Sequence, residues 1–198
     1  MQKRKSKKIF IYFFLLIILG SITNINLNNI KFDKIKDVEV SGLNEFDNRA
    51  VSKNIINLNL GNILFLNKFE IVNILNSNNS IETYQIFKKY PSELEIKIEK
   101  TKFLAKINID GKLFFVGSNG KLSKKNITNL DLPYIFGKPQ IKEFLKFKYV
   151  LDMSSINYNE IKNLYFYQSK RWDLELKNNI IFKLPENVSV ESINNILV

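Results

Sequence analysis

The first feature of the chain is an unbroken apolar run, Ile9–Leu19, behind a basic cluster of Lys3, Arg4, Lys5, Lys7 and Lys8. No charge appears from Ile9 to Ile30. A helix rises about 1.5 Å per residue, so about 20 residues cross a hydrocarbon core. The pattern predicts a basic cytoplasmic tail over residues 1–8 and a single-pass transmembrane signal anchor over 9–30, with Ile9, Phe13, Leu16 and Leu19 among the lipid-facing residues. A cleaved signal peptide is the rival reading, because an apolar core of 11 residues suits one. Gly20-Ser21-Ile22 is a poor cleavage site, which favours a retained anchor. Under both readings residues 31–198 lie outside the cytoplasm.

Beyond residue 32 the patterning is that of a folded domain. Ile35–Val40 alternates apolar and charged residues and reads as a half-buried strand ended by Ser41-Gly42. Asp47 is the expected cap of a helix carrying Val51, Ile55 and Leu58 on one face. Asn67 with Glu70 predicts a second helix start, whose buried face carries Phe69, Val72 and Leu75. Strands follow over Ile81–Lys88 and Leu94–Lys100, joined through Tyr90-Pro91-Ser92. The order β-α-α-β-β predicts a small α+β unit with helices over one sheet face.

Shorter strands are expected at Phe103–Ile109, Lys112–Val116 and from Gly120, between turns at Asp110-Gly111 and Ser118-Asn119-Gly120. Phe144, Phe147 and Leu151 mark a helix over Ile141–Met153. Ile161–Tyr167, Arg171–Leu176 and Ile180–Leu184 read as a meander, with Asn178-Asn179 supplying a left-handed turn. Ser189–Val198 starts a further helix.

Composition narrows the chemistry. The 198 residues contain neither His nor Cys, which removes the commonest general base, thiol nucleophiles and the usual zinc ligands. The net charge of +11 suggests a nucleic-acid partner, but only Arg4, Arg49 and Arg171 among 30 basic residues are arginine. An Arg-poor excess of Lys, Ile and Asn is what AT-rich codons produce, and no nucleic-acid, cofactor, metal or small-molecule partner is expected. Gly117–Gly120 leads into a strand rather than a helix, so it reads as a turn and not a phosphate loop. Asp131, Asp152 and Glu160 show no paired catalytic spacing.

Several stretches resemble the bacterial cell-division proteins of the FtsQ/DivIB family. "V-E-V-S-G" (Val38–Gly42) resembles the "V-x-V-x-G" that opens that family's POTRA module. "F-K-K-Y-P-S-E-L-E-I-K-I-E-K" (Phe87–Lys100) resembles its closing "R-x-W-P-x-T-L-x-V-x-V-x-E-R", with Tyr90 for Trp and Lys100 for Arg. "L-P-Y-I-F-G" (Leu132–Gly137) is similar to "L-P-x-L-x-G". "W-D-L-E-L-K-N-N-I-I-F-K-L-P" (Trp172–Pro185) is similar to "W-x-L-x-L-x-N-G-x-x-I-x-L-P". The stretch Phe103–Leu122 resembles a further family segment but lacks its Pro and Trp, with Phe103 and Lys106 near those places.

The resemblance implies an α+β fold: an N-terminal transmembrane helix, a POTRA domain over residues 33–100 and a mainly antiparallel β domain with flanking helices over 101–198. Family members usually continue beyond this last helix into closing strands, including the one that recruits FtsB. The function implied is a non-catalytic divisome scaffold in the inner membrane, with its C-terminal domain periplasmic, recruiting FtsB, FtsL and upstream division proteins to the septum. Lys170, Arg171 and Trp172 are the candidate partner-binding residues, although a lone Trp such as Trp172 reads more often as a core anchor than as a contact. A POTRA-containing envelope assembly or secretion factor is the alternative, and a signal-anchored hydrolase using Ser-Lys or carboxylate chemistry a further one.

Overall fold

The computed structural model describes residues 3–22, 33–124 and 130–196. Helix α1 spans Lys3–Ile22. Ile9, Phe13, Leu16 and Leu19 are all exposed on it, as is every residue between them. A helix apolar all round finds its partner in lipid or in a protein core. Its uncharged part runs only from Ile9 to Ile22, about 21 Å at the usual helical rise, against a hydrocarbon thickness of about 30 Å. No helix among the described residues is long and apolar enough to cross a membrane. Residues 23–30 of the expected anchor lie outside the described residues, as do residues 1, 2, 197 and 198.

The alternating Val38 and Val40 become β1, Asp37–Ser41, with Val38 turned to the core. Strands β2 (Ile81–Lys89) and β3 (Glu93–Lys100) form an antiparallel pair, and β1 joins β3 in parallel, giving the order β1-β3-β2. Val38, Leu94, Ile96 and Ile98 then share one face and bury against α2 (Glu45–Ile56) and α3 (Phe69–Ser77). Each such side chain taken from water contributes about 1.5–3 kcal/mol.

Two expectations need correction. The cap of α2 is Asn44, whose side-chain oxygen accepts the Asp47 N–H at 2.8 Å, so Asp47 sits inside the first turn. An Asn followed by acidic residues at the first and third helical positions satisfies the helix end one turn earlier. In α3 the buried residues are Ile71 and Leu75, whereas Val72 is only half-buried and Phe69 is 66% exposed. The helix begins at Phe69, so the stripe that meets the sheet is set by Ile71 and Leu75, and Phe69 falls off it.

The second sheet has seven strands in the order β10-β9-β8-β7-β4-β5-β6. Their spans are Phe103–Ile109 (β4), Lys112–Gly117 (β5), Leu122–Ser123 (β6), Tyr134–Phe136 (β7), Ile161–Phe166 (β8), Trp172–Leu176 (β9) and Ile181–Lys183 (β10). Helix α4 (Ile141–Met153) buries Phe144, Phe147 and Leu151 against Ile107, Ile135, Leu164, Trp172 and Leu174, and α5 (Val190–Ile196) adds Ile193. The strand not foreseen is β7. It lies parallel to both β4 and β8, while the remaining four pairings are antiparallel. The chain is therefore α+β, with helices over one face of each sheet.

Only Thr101 and Lys102 separate β3 from β4. Around them the two sheets are tied by polar groups. Glu82 accepts from the hydroxyls of Thr101 (2.8 Å) and Ser118 (2.7 Å). Asn119 donates to the carbonyls of Asn79 (3.1 Å) and Ile81 (2.8 Å), and Lys121 donates to Asn76 O at 2.6 Å.

Gly42 and Gly137 have φ of 108° and 96°. A Cβ at Gly42 would lie 1.7 Å from Ile98 O, and one at Gly137 2.2 Å from Phe166 O. The backbone conformation and the close approach both require glycine. Gly42→Ala and Gly137→Ala should each cost about 3 kcal/mol or more. Urea unfolding monitored by Trp172 fluorescence, which reports the second core, together with circular dichroism measures the loss.

Candidate functional site

The inner face of the second sheet is covered by α4 and α5, and the helices among the described residues leave the outer face open. Register places Tyr134 and Phe136 of β7, Asn163 and Tyr165 of β8, Asp173 and Glu175 of β9, and Ile181 and Lys183 of β10 in rows across that outer face. Phe136 stacks on Tyr165 with ring centroids 5.0 Å apart, and Tyr134 tilts onto Phe136 at 4.7 Å. Exposed apolar side chains on it include Phe136 and Ile181.

Glu175 organises the polar half of this face. It accepts from Asn163 at 2.9 Å and Tyr165 at 2.6 Å, and pairs with Lys162 at 3.0 Å. Lys162 also donates to the Asn179 side chain at 3.0 Å. The hydrogen bond from Asn163, then those from Tyr165 and Lys162, pull the Glu175 carboxyl down to about 2. The same carboxylate raises the Tyr165 phenol above its ordinary value.

Strand β10 ends the sheet. Leu176 N donates to Ile180 O at 2.9 Å and Leu184 N to Trp172 O at 3.2 Å. Even-numbered residues of β10 therefore bond to β9, and the backbone groups of Ile181 and Lys183 point away from the sheet. Among the described residues no strand pairs with this side of β10, and an unpaired strand side is a surface on which another strand can be added.

The three residues singled out from the sequence lie together beside this edge but differ in role. Trp172 is 4% exposed, stacked on Phe147 at 4.6 Å with Phe166 against its other side, and anchors the core. Arg171 is half-buried. It lies over the Tyr167 ring at 4.7 Å and pairs with Asp173, Nε to Oδ1 at 3.1 Å and Nη2 to Oδ2 at 3.3 Å. The shorter Nε contact is electrostatic, its angle too bent for a hydrogen bond. Asp173 is 2% exposed, so Arg171 balances an otherwise buried charge. Lys170 is exposed in the β8–β9 turn with φ of 64°.

The sequence reading missed Asp173, Tyr167 and Glu175. Arg171, Asp173 and Glu175 alternate along one strand, a signal that puts them on one face. Their partners on β8 depend on register. Among the described residues no group of His, Cys, Asp or Glu is arranged to hold a metal ion. The geometry combines an aromatic row, a fixed carboxylate network and a strand edge that is unpaired among the described residues.

Comparison with known proteins places this geometry in context. A family model for the FtsQ-type POTRA domain matches residues 33–100. The chain is similar to the cell division protein FtsQ of Rickettsia felis, 29% identical over 164 residues, covering 81% of this chain and 60% of that protein. It is likewise similar to the cell division protein DivIB of Clostridium tetani, 28% identical over 167 residues, covering 83% and 60%. The chain thus spans about 60% of the length of these curated relatives. A solved structure of the major extracytoplasmic domain of DivIB from Geobacillus stearothermophilus aligns with 48% of this chain and 83% of its own, at 10% identity and a TM-score of 0.34. That likeness is too low to carry an argument.

Two outcomes are expected. The folded chain holds the Glu175 carboxyl below its ordinary value of 4.5, so its stabilisation is complete above that pH and is lost as pH falls from 4.5 toward 2. The Tm of the native chain should fall more steeply through that window than that of Glu175→Gln, measured by scanning calorimetry. Lys170→Gly relieves a left-handed lysine and should raise stability by about 0.5–1 kcal/mol, measured by urea unfolding.

Proposed function

The chain belongs to the FtsQ/DivIB family of bacterial cell-division proteins, and from that premise we propose that it is a non-catalytic scaffold of the division machinery. In this reading residues 1–8 are a cytoplasmic tail and residues 9–30 hold the chain in the inner membrane. Residues 33–100, the POTRA domain, dock upstream division proteins on the periplasmic side. Residues 101–198, the β domain, take FtsB and FtsL at the septum. Its mechanism is affinity and placement, because confinement to a membrane raises effective concentration without chemistry.

The observation that carries the proposal is the open outer face of the second sheet running to the β10 edge, unpaired among the described residues, beside Lys170 and Arg171. An extended segment of a partner can continue the ladder through the outward backbone groups of Ile181 and Lys183, with Phe136, Tyr165 and Ile181 providing apolar contact. Lys170 and Arg171 form the charged rim, and Trp172 stiffens the strand start from below. Arg171 is a poor probe of binding, because its removal also strands the Asp173 carboxylate.

Ile181→Pro tests the edge directly, since proline removes an outward N–H and leaves the β9 bonds intact. The variant should fold, with its Tm near the native value. Binding to the periplasmic region of the FtsB partner should weaken at least about tenfold, about 1.4 kcal/mol, read by titration calorimetry. A full-length fluorescent fusion should form a midcell ring in cells depleted of the native copy, and the Pro variant should fail to restore division. Unchanged affinity together with normal division would remove the β10 edge from the function.

A further inference from the structure

The sequence expectation that failed most plainly, the burial of Phe69, exposes a second surface. At one end of the first unit Phe65 is 81% exposed, Phe69 66%, Ile56 45% and Leu64 41%. Three of these lie within six residues, where a small domain gains nothing by presenting aromatic rings to water. Lys68 and Lys88 border them. The Lys88 ammonium reaches only the Leu64 carbonyl at 3.3 Å, and that of Lys68 only the Ile86 carbonyl at 3.5 Å. Neither is ion-paired among the described residues, whereas Lys36, Lys89 and Lys97 on the same unit each pair with a carboxylate. Lys34 adds a third exposed ammonium. Glu70 shares the adjoining groove with Phe65, and Asp33, next to Lys34 in the chain, is paired with Lys36.

The position of this patch along the chain is as informative as its chemistry. Lys34 bridges to Asn62, and Ile35 N donates to Gly61 O at 3.2 Å, so the chain enters the first unit two residues from Leu64. The ten residues 23–32 between α1 and this point reach at most about 35 Å even when fully extended. The patch therefore lies at the end of the unit tethered to the apolar helix.

We propose that Ile56, Leu64, Phe65 and Phe69, framed by Lys34, Lys68 and Lys88, seat the first unit on the acidic lipid surface of the membrane that holds α1. Aromatic side chains ringed by lysines suit the headgroup boundary, where rings enter the apolar margin and ammonium groups meet lipid phosphates. The inference rests on the anchoring reading of α1 and adds to it a second contact. That contact fixes the tilt of the first unit instead of leaving it on a free tether.

The absence of cysteine makes a clean experiment possible with the full chain. Single spin labels are attached through Leu64→Cys, Phe13→Cys and Lys112→Cys, and the protein is reconstituted in nanodiscs of phosphatidylcholine and phosphatidylglycerol. Collision with a water-soluble nickel chelate reports exposure. The label at position 64 should lose most of its nickel collisions, as the label at 13 does, while the label at 112 keeps them. Adding Phe65→Glu and Lys68→Glu to the labelled Leu64→Cys chain should return position 64 to water. Position 13 in lipid with position 64 as accessible as 112 overturns the inference and leaves the anchor intact. Water access at both 13 and 64 overturns the anchor and the inference together. Shielding at 64 that needs an added division protein assigns the patch to a protein instead, and also overturns it.

Discussion

The seven-stranded sheet depends on a strand of three residues. Among the described residues Tyr134, Ile135 and Phe136 are the only backbone ladder between the β4-β5-β6 half and the β8-β9-β10 half, and they pair in parallel on both sides. Parallel pairing needs a crossover, and α4 supplies it between β7 and β8, which is how that helix comes to lie over the inner face. Gly137 follows at once, with its backbone so close to Phe166 that no side chain fits. Ile135 fills the centre of the core beneath. Without this seam the halves would be two separate three-stranded sheets, and the core under α4 would not be continuous.

How much of this was legible depends on length and locality. Long alternations such as Leu94-Glu95-Ile96-Lys97-Ile98 state both strand and face, and Phe144, Phe147 and Leu151 state the helix and its buried stripe. Three residues after Pro133 carry no measurable period, so β7 could not be read as a strand. Asn44 and Asp47 both offer a capping oxygen, and the choice depends on where the chain leaves Gly42. Phe69 looked like core because hydrophobic residues usually are, yet its position on α3 left it off the sheet.

The candidate face divides in the same way. Trp172 and its charged neighbours stand out in the sequence, but their separate tasks do not. Burial of the indole, the hold of Arg171 on Asp173 and the Glu175 network depend on contacts to Phe147, Tyr167, Asn163 and Tyr165, which are brought in by other strands. A strand states which residues share a face. Which residues meet across the gap follows from register, and register is a property of the whole sheet.

The junction around Glu82, Thr101, Ser118 and Asn119 gives the molecule a mechanical character. Strand β3 passes into β4 across two residues, and the bonds beside them act as a brace between the sheets. Such a joint resists bending as a welded elbow does, because turning one sheet would break several part-buried hydrogen bonds at once. The two sheets then move as one lever. A small rotation of the first unit swings the far β10 edge through a larger arc, and a load taken up at that edge is felt as torque at the other end.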